Sequence, residues 1–244
     1  MKQYVLEVCA NSVESCIIAQ EAGANRVELC ENLSVGGTTP SYGCIKLSRQ
    51  KLSIPINVLI RPRPGDFLYS SMEFKQIKED IAIAKELGAN GIVCGMLLPN
   101  GKIDEERTAE LVECSKPLTF TFHRAFDFTP NPIEALETVI KVGSTNLLTS
   151  GQHKTAIDGI ALLKKLVTLA GNRLNIIAGG GINAQNVEIL KGSEIKQFHM
   201  SGSVQVKSKM GNFDRNFTLN STLPDNVIQT SDFESIKNVV LKLG

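Results

Sequence analysis

Glu21-Ala22-Gly23-Ala24-Asn25-Arg26-Val27-Glu28-Leu29-Cys30 decides the fold. The amphipathic stretch Ser12–Ala22 runs into Gly23, which reads as a left-handed helix stop. The run Arg26–Leu29 then reads as a strand. Nearly the same joint recurs at Glu86-Leu87-Gly88-Ala89-Asn90, ahead of the run Gly91–Cys94. A repeated helix-to-strand joint is what a chain of βα units produces.

Working outward from these two joints, eight short runs read as strands. They are Tyr4–Val8, Arg26–Leu29, Ile56–Ile60, Gly91–Cys94, Leu118–Phe122, Asn146–Leu148, Asn175–Ala178 and Gln197–His199. Helical spacing appears between them at Met72–Leu87, Glu105–Cys114, Ile133–Val142, Ile157–Ala170 and Ala184–Leu190. A short helix is expected near Ile45–Arg49 and a last one at Phe233–Leu241. Ser70-Ser71-Met72-Glu73 has capping-box spacing, and Asn131-Pro132 places proline at a first helical position. Gly23, Gly88, Gly143, Gly171 and Gly192 read as left-handed helix stops. Strands alternating with helices through right-handed crossovers give a parallel sheet. Eight such pairs favour closure into one (β/α)8 TIM-type barrel, a single domain over residues 1–244; an open doubly wound sheet is the rival arrangement. Strand-to-helix links are the long ones, among them 30–41, 61–71 and 201–232, which gathers the loops on one face.

The bulk numbers exclude several function classes. A net charge of +1 gives no global field for nucleic acid or anionic membrane. Trp is absent and aromatic content is 5%, a poor platform for stacking bases. No apolar stretch is long enough to span a bilayer. Six cysteines stand singly without a CxxC pair, and nothing at the N-terminus resembles a signal, so the expectation is reduced thiols in a cytoplasmic protein. A homodimer is expected, as many barrels self-associate.

Ionisable residues cluster at strand ends. In the first strand Glu7 and Cys9 share a face, and in the second Arg26, Glu28 and Cys30 do. Charged side chains inside a barrel need partners, and Arg26 with Glu7 or Glu28 is the obvious pairing. Two neighbouring thiols at Cys9 and Cys30 suit a soft ion such as Cu(I), although free cysteine is often only a small buried hydrophobe. Met200 is a candidate third soft contact. Arg61 and Arg63 end the third strand and Arg124 follows the fifth; such forks bind carboxylate or phosphate, or pair with Asp66 and Asp127. His123 and His199 end strands and are candidate proton carriers, with Glu7 as orienting partner. Gly180 and Gly181, in the Gly179-Gly180-Gly181 turn after the seventh strand, offer backbone N–H groups to an anion. No lysine ends a strand, which argues against a Schiff-base aldolase, and no GxGxxG, Walker A, GxSxG or HExxH occurs.

Leu6-Glu7-Val8-Cys9, Arg26-Val27-Glu28-Leu29-Cys30, Gly36-Gly37-Thr38-Thr39-Pro40-Ser41, Ile60-Arg61-Pro62-Arg63 and Phe122-His123-Arg124-Ala125-Phe126-Asp127 together resemble the CutC family of copper homeostasis proteins. Leu148-Thr149-Ser150-Gly151-Gln152, Gly179-Gly180-Gly181 and Phe198-His199-Met200-Ser201 continue the resemblance along nearly the whole chain. Gly202 and Asn25 depart from the family's usual alanine and aspartate, at no proposed site group. The resemblance implies a TIM-type barrel in the cytosol, a link to copper, and Cys9 and Cys30 as the positions associated with Cu(I). Two functions are compatible with these residues. One is copper homeostasis through Cu(I) on Cys9 and Cys30. The other is an enzyme of unknown reaction, in which Arg61, Arg63, Arg124, Gly180 and Gly181 hold a small anionic metabolite and Glu7, His123 and His199 move protons.

Overall fold

Eight parallel strands hydrogen-bond in chain order and close on themselves in the computed structural model, which describes residues 4–210 and 224–244. They are β1 Val5–Ala10, β2 Arg26–Leu29, β3 Ile56–Leu59, β4 Gly91–Cys94, β5 Thr119–Phe122, β6 Asn146–Thr149, β7 Asn175–Gly179 and β8 Gln197–Met200. Helices cover the outside: α1 Val13–Glu21, α2 Tyr42–Lys51, α3 Ser71–Glu86, α4 Glu105–Ser115, α5 Pro132–Lys141, α6 Ile160–Ala170, α7 Val187–Lys191 and α8 Phe233–Leu243. The fold is a (β/α)8 TIM barrel, and the open-sheet alternative falls.

The repeated joint has a physical role. Asn25 Oδ1 accepts from Leu6 N at 2.7 Å, and Asn90 Oδ1 accepts from Ile56 N at 2.9 Å. In each copy the asparagine ties the incoming strand to the start of the one before it. Ser70 and Glu73 form a reciprocal capping box on α3, and Asn131 caps α5 with Pro132 behind it. Gly23, Gly88 and Gly143 have positive φ as expected. Gly192 corrects the sequence reading: its φ is −63°, since α7 is short and ends in a right-handed turn. Helix α6 starts at Ile160 rather than Ile157, and Asn183 caps the turn ahead of α7 while Asn186 occupies the position just before the helix begins at Val187.

Strand alternation divides the side chains into two populations. Leu6, Val8, Val27, Val58, Ile92, Phe120, Leu147 and Phe198 face outward and join helix residues such as Ile77, Leu136 and Leu163 in the main apolar core. The lumen is largely polar. Asn57 bonds Glu7, Asn146 bonds Thr121, and Asn175 bonds Asn146. A small separate apolar group in the lumen comprises Cys9, Cys30, Leu59 and Val93. Barrel interiors are usually filled by branched aliphatics; here hydrogen-bonded amides and a buried charge network take that place.

The long link after β8 holds an antiparallel pair that the sequence reading missed, β9 Ser203–Lys207 with β10 Val227–Ser231. Its middle, 211–223, lies outside the described residues. The pair is anchored to the barrel near α1: Asn11 donates to Gln229 O, and Ser15 Oγ accepts from Ser231 N.

Candidate functional site

A cavity of about 370 Å³ opens at the C-terminal ends of the strands. Its lining includes Cys9 and Glu28 from β1 and β2, Arg61 and His123 after β3 and β5, Arg124, and His199 of β8. Gly180 and Gly181 border it after β7. Glu7 and Cys30 lie just behind the lining, each in contact with a lining group. Arg63 does not line the cavity: it pairs with Glu73 at 2.6 Å and Asp66 at 3.0 Å on the outer side of the loop. Met200 borders the cavity but belongs to the outer core.

The floor is a charge network built by register. Cα pairing sets Glu7 beside Arg26 on one side and His199 on the other, and Cys9 beside Glu28. Glu7 is fully buried. It accepts from Arg26 Nε, from Asn57 Nδ2 at 2.9 Å and from His199 Nδ1 at 2.8 Å. Burial pushes the Glu7 carboxyl up, but Arg26 and His199 together bring it down to about 2, so it is ionised. Burial also works against charge on His199, yet Glu28 and Glu7 outweigh it and raise the imidazole above its usual value. Glu28 is different. Burial raises it to about 7, its Oε2 has no hydrogen-bond partner, and His199 Nδ1 stands off at 3.9 Å.

Cys9 Sγ lies 3.4 Å from Cys30 Sγ and 3.7 Å from Glu28 Oε1. The bond with Cys30, burial and the neighbouring carboxylates together hold the Cys9 thiol well above its usual range. Cys9, Glu28 and His199 present ligand atoms within 4.8 Å of one another. The donor set therefore fits a soft or borderline cation: two sulfurs within touching distance, and a buried carboxylate oxygen with nothing to bind.

The opposite wall is made by the loops after β3, β5 and β6. Arg61 is buried, and its guanidinium donates to the carbonyls of Val35, Gly37 and Gly65 at 3.0, 2.7 and 2.8 Å. It has no carboxylate partner among the described residues, its Nε is unpartnered, and the Phe67 ring covers it at 5.3 Å. His123 begins a short 3-10 turn, Arg124–Phe128, and its Nδ1 accepts from Ala125 N at 3.3 Å. In the neutral ring the proton then sits on Nε2, which is buried and without a partner. Burial and the Arg61 charge hold His123 down at about 3, so the ring stays neutral. Gly95 makes room for it, since a Cβ there would come 2.7 Å from Nδ1. Arg124 pairs with Asp127 at 2.8 Å and reaches Ser150 Oγ at 2.8 Å. Asp127 also accepts from Ser150 N and Gln152 N, which stitches the β5 loop to the β6 loop.

Asn57 and Phe67 organise the site and were not singled out from sequence; Asp127, expected there only as an arginine partner, pairs with Arg124 and also ties the β5 and β6 loops together. The available signal for Asn57 was its polarity inside an otherwise apolar run, on the lumen parity of β3.

The CutC family model matches residues 4–204. A Bacteroides fragilis relative named family protein CutC is 51% identical over 86% of this chain and 84% of its own length. The chain belongs to the CutC family. The Homo sapiens copper homeostasis protein cutC homolog is 46% identical over 81% of this chain and 73% of its own. The crystal structure of the putative copper homeostasis protein CutC from Streptococcus agalactiae is 37% identical, with a TM-score of 0.78, over 81% of this chain and 98% of that one. No helix among the described residues is long and apolar enough to cross a membrane.

Proposed function

We propose that this chain is a copper homeostasis protein that binds Cu(I) through the thiolates of Cys9 and Cys30. The observation that carries the reading is the 3.4 Å approach of the two sulfurs at the cavity floor. Soft thiolates select Cu(I) over harder ions. The names of the relatives support a connection with copper. In this reading the protein is a single-domain cytoplasmic homodimer, and its six cysteines remain reduced. Sedimentation of the reduced protein tests the dimer.

The Cys9 thiol is protonated before the ion enters, because it is held far above its usual range. Binding therefore releases protons, and affinity rises with pH. The test is competition with a chromogenic Cu(I) chelator under reducing conditions. Cys9→Ser and Cys30→Ser each weaken binding strongly. Equal Cu(I) affinity in the double variant refutes the assignment.

A further inference from the structure

Copper on two thiols leaves most of the cavity without a task. His199 Nδ1 donates to Glu7 Oε1, which fixes the tautomer and leaves the Nε2 lone pair as the free face of the ring. Nε2 has no hydrogen-bond partner among the described residues and is not sealed from solvent, so it opens onto the cavity that His199 lines. A carboxylate that holds one imidazole nitrogen and turns the other toward substrate is a general-base arrangement. Glu28, 3.9 Å from the same ring, adds a second carboxylate beside the imidazolium that forms when Nε2 takes a proton.

Two further features share the cavity. The N–H groups of Gly181 and Ile182, after β7, have no partner among the described residues, and both residues line the cavity. Arg124, half-exposed, stands on the rim, and the uncompensated Arg61 charge lies behind Phe67. Anions in this fold class settle after the seventh and eighth strands, on backbone N–H groups. Across from the base, neutral His123 carries an unpartnered Nε2–H under the Phe67 ring, with ring centroids 4.8 Å apart. A neutral imidazole N–H opposite a general base is a carbonyl-polarising arrangement.

We infer that the cavity is an acid–base active site for a small phosphorylated carbonyl compound, with His199 Nε2 as the base. Its phosphate rests on the Gly181 and Ile182 N–H groups, with Arg124 closing over it. Nε2 takes the proton from the carbon next to the carbonyl. The C–H electron pair becomes the enolate double bond, and the carbonyl oxygen takes the negative charge toward the His123 N–H. The same Nε2–H then returns the proton to carbon, so the step needs no oxidant or co-reactant. Glu7 is a positioning residue, since it touches only the base.

The experiment uses the full reduced chain, without copper. Glycolaldehyde phosphate, dihydroxyacetone phosphate and ribulose 5-phosphate are incubated with it in D2O, and loss of the C–H signal beside the carbonyl is followed by NMR. The expected result is exchange above buffer for at least one compound. It falls ~10²–10⁴-fold in His199→Asn, and His153→Asn, outside the cavity, leaves it unchanged. Glu7→Gln lowers the maximal rate without raising the half-saturating concentration, and Arg124→Ala raises the half-saturating concentration. Inorganic phosphate shifts the amide signals of Gly181 and Ile182 saturably. Exchange no faster than buffer for all three compounds, or retained in a folded His199→Asn chain, overturns the proposal. So does phosphate that leaves both amides unmoved. If His199→Asn does not fold, the imidazole nitrogen shifts of the native chain decide: a proton on Nε2 with Nδ1 bare overturns it, and the reverse supports it.

Discussion

Glu28→Gln is expected to stabilise the protein at alkaline pH. The Glu28 carboxyl is raised to about 7 in the folded chain from 4.5 unfolded, and it is buried with Oε2 unpartnered. A raised carboxyl means the folded state holds its proton where the unfolded state has released it. Stability therefore falls as pH rises from the unfolded to the folded value. For this group alone the loss between pH 5 and pH 8 is about 2–3 kcal/mol. His199 acts in the same direction, because its raised value gives stability at low pH that is lost as pH climbs through it. Glu7, lowered to about 2, acts oppositely, but only below pH 4.5, where its stabilisation is lost on acidification. The amide that replaces the carboxyl in the variant cannot ionise, and leaving one of its polar atoms unpaired costs about 1 kcal/mol. The net gain at pH 8 is roughly 1–2 kcal/mol, or roughly 2–8 °C in Tm for a chain of this size. Urea unfolding of both proteins under reducing conditions at pH 5 and pH 8 measures it. If the variant is no more stable than the parent at pH 8, and its pH slope is as steep, Glu28 does not carry the strained charge described above.

Two other outcomes follow from the opposite wall. His123, held at about 3 by burial and Arg61, is expected to show no imidazole titration in NMR spectra recorded between about pH 5 and pH 8; a normal midpoint there would contradict its buried neutral form. Arg61→Lys is expected to cost roughly 2–3 kcal/mol in urea unfolding, because an ammonium cannot reach the carbonyls of Val35, Gly37 and Gly65 with the spread of a guanidinium; a change within experimental error would mean that the three bonds do not hold the loops.

The barrel was legible because its signals are local. The Ala-Asn joints, the capping box at Ser70 and the alternating parity of β1 and β2 depend on neighbours in sequence. Parity also brought Glu7, Cys9 and Glu28 to one side. Sequence also offered Arg26 to Glu7 or Glu28 and Glu7 to a histidine, and the structure pairs Arg26 and His199 with Glu7. What sequence could not supply was the choice: that Glu28 is left short of a partner, that Asn57 joins Glu7, and that His199 rather than His123 reaches it, through barrel closure joining β8 to β1 across nearly the whole chain. Arg61 and Arg63 have the same parity, yet the loop turns one onto carbonyls and the other onto Glu73. The β9–β10 pair escaped notice because residues 208–226 separate its strands, which removes the tight-turn signal and leaves only the short alternation of Val204 and Val206.

The apolar mass of the molecule lies outside its staves, between sheet and helices, and the lumen contributes less, a small patch around Cys9, Cys30, Leu59 and Val93 and, at the cavity, Leu148. Folding cohesion and site chemistry are thus written in alternate letters of the same strands. A substitution at an odd position of β1 edits the cavity, and one at an even position edits the scaffold. Descendants of such a barrel can exchange one lumen chemistry for another in single steps while the framework that holds the mouth open is inherited intact.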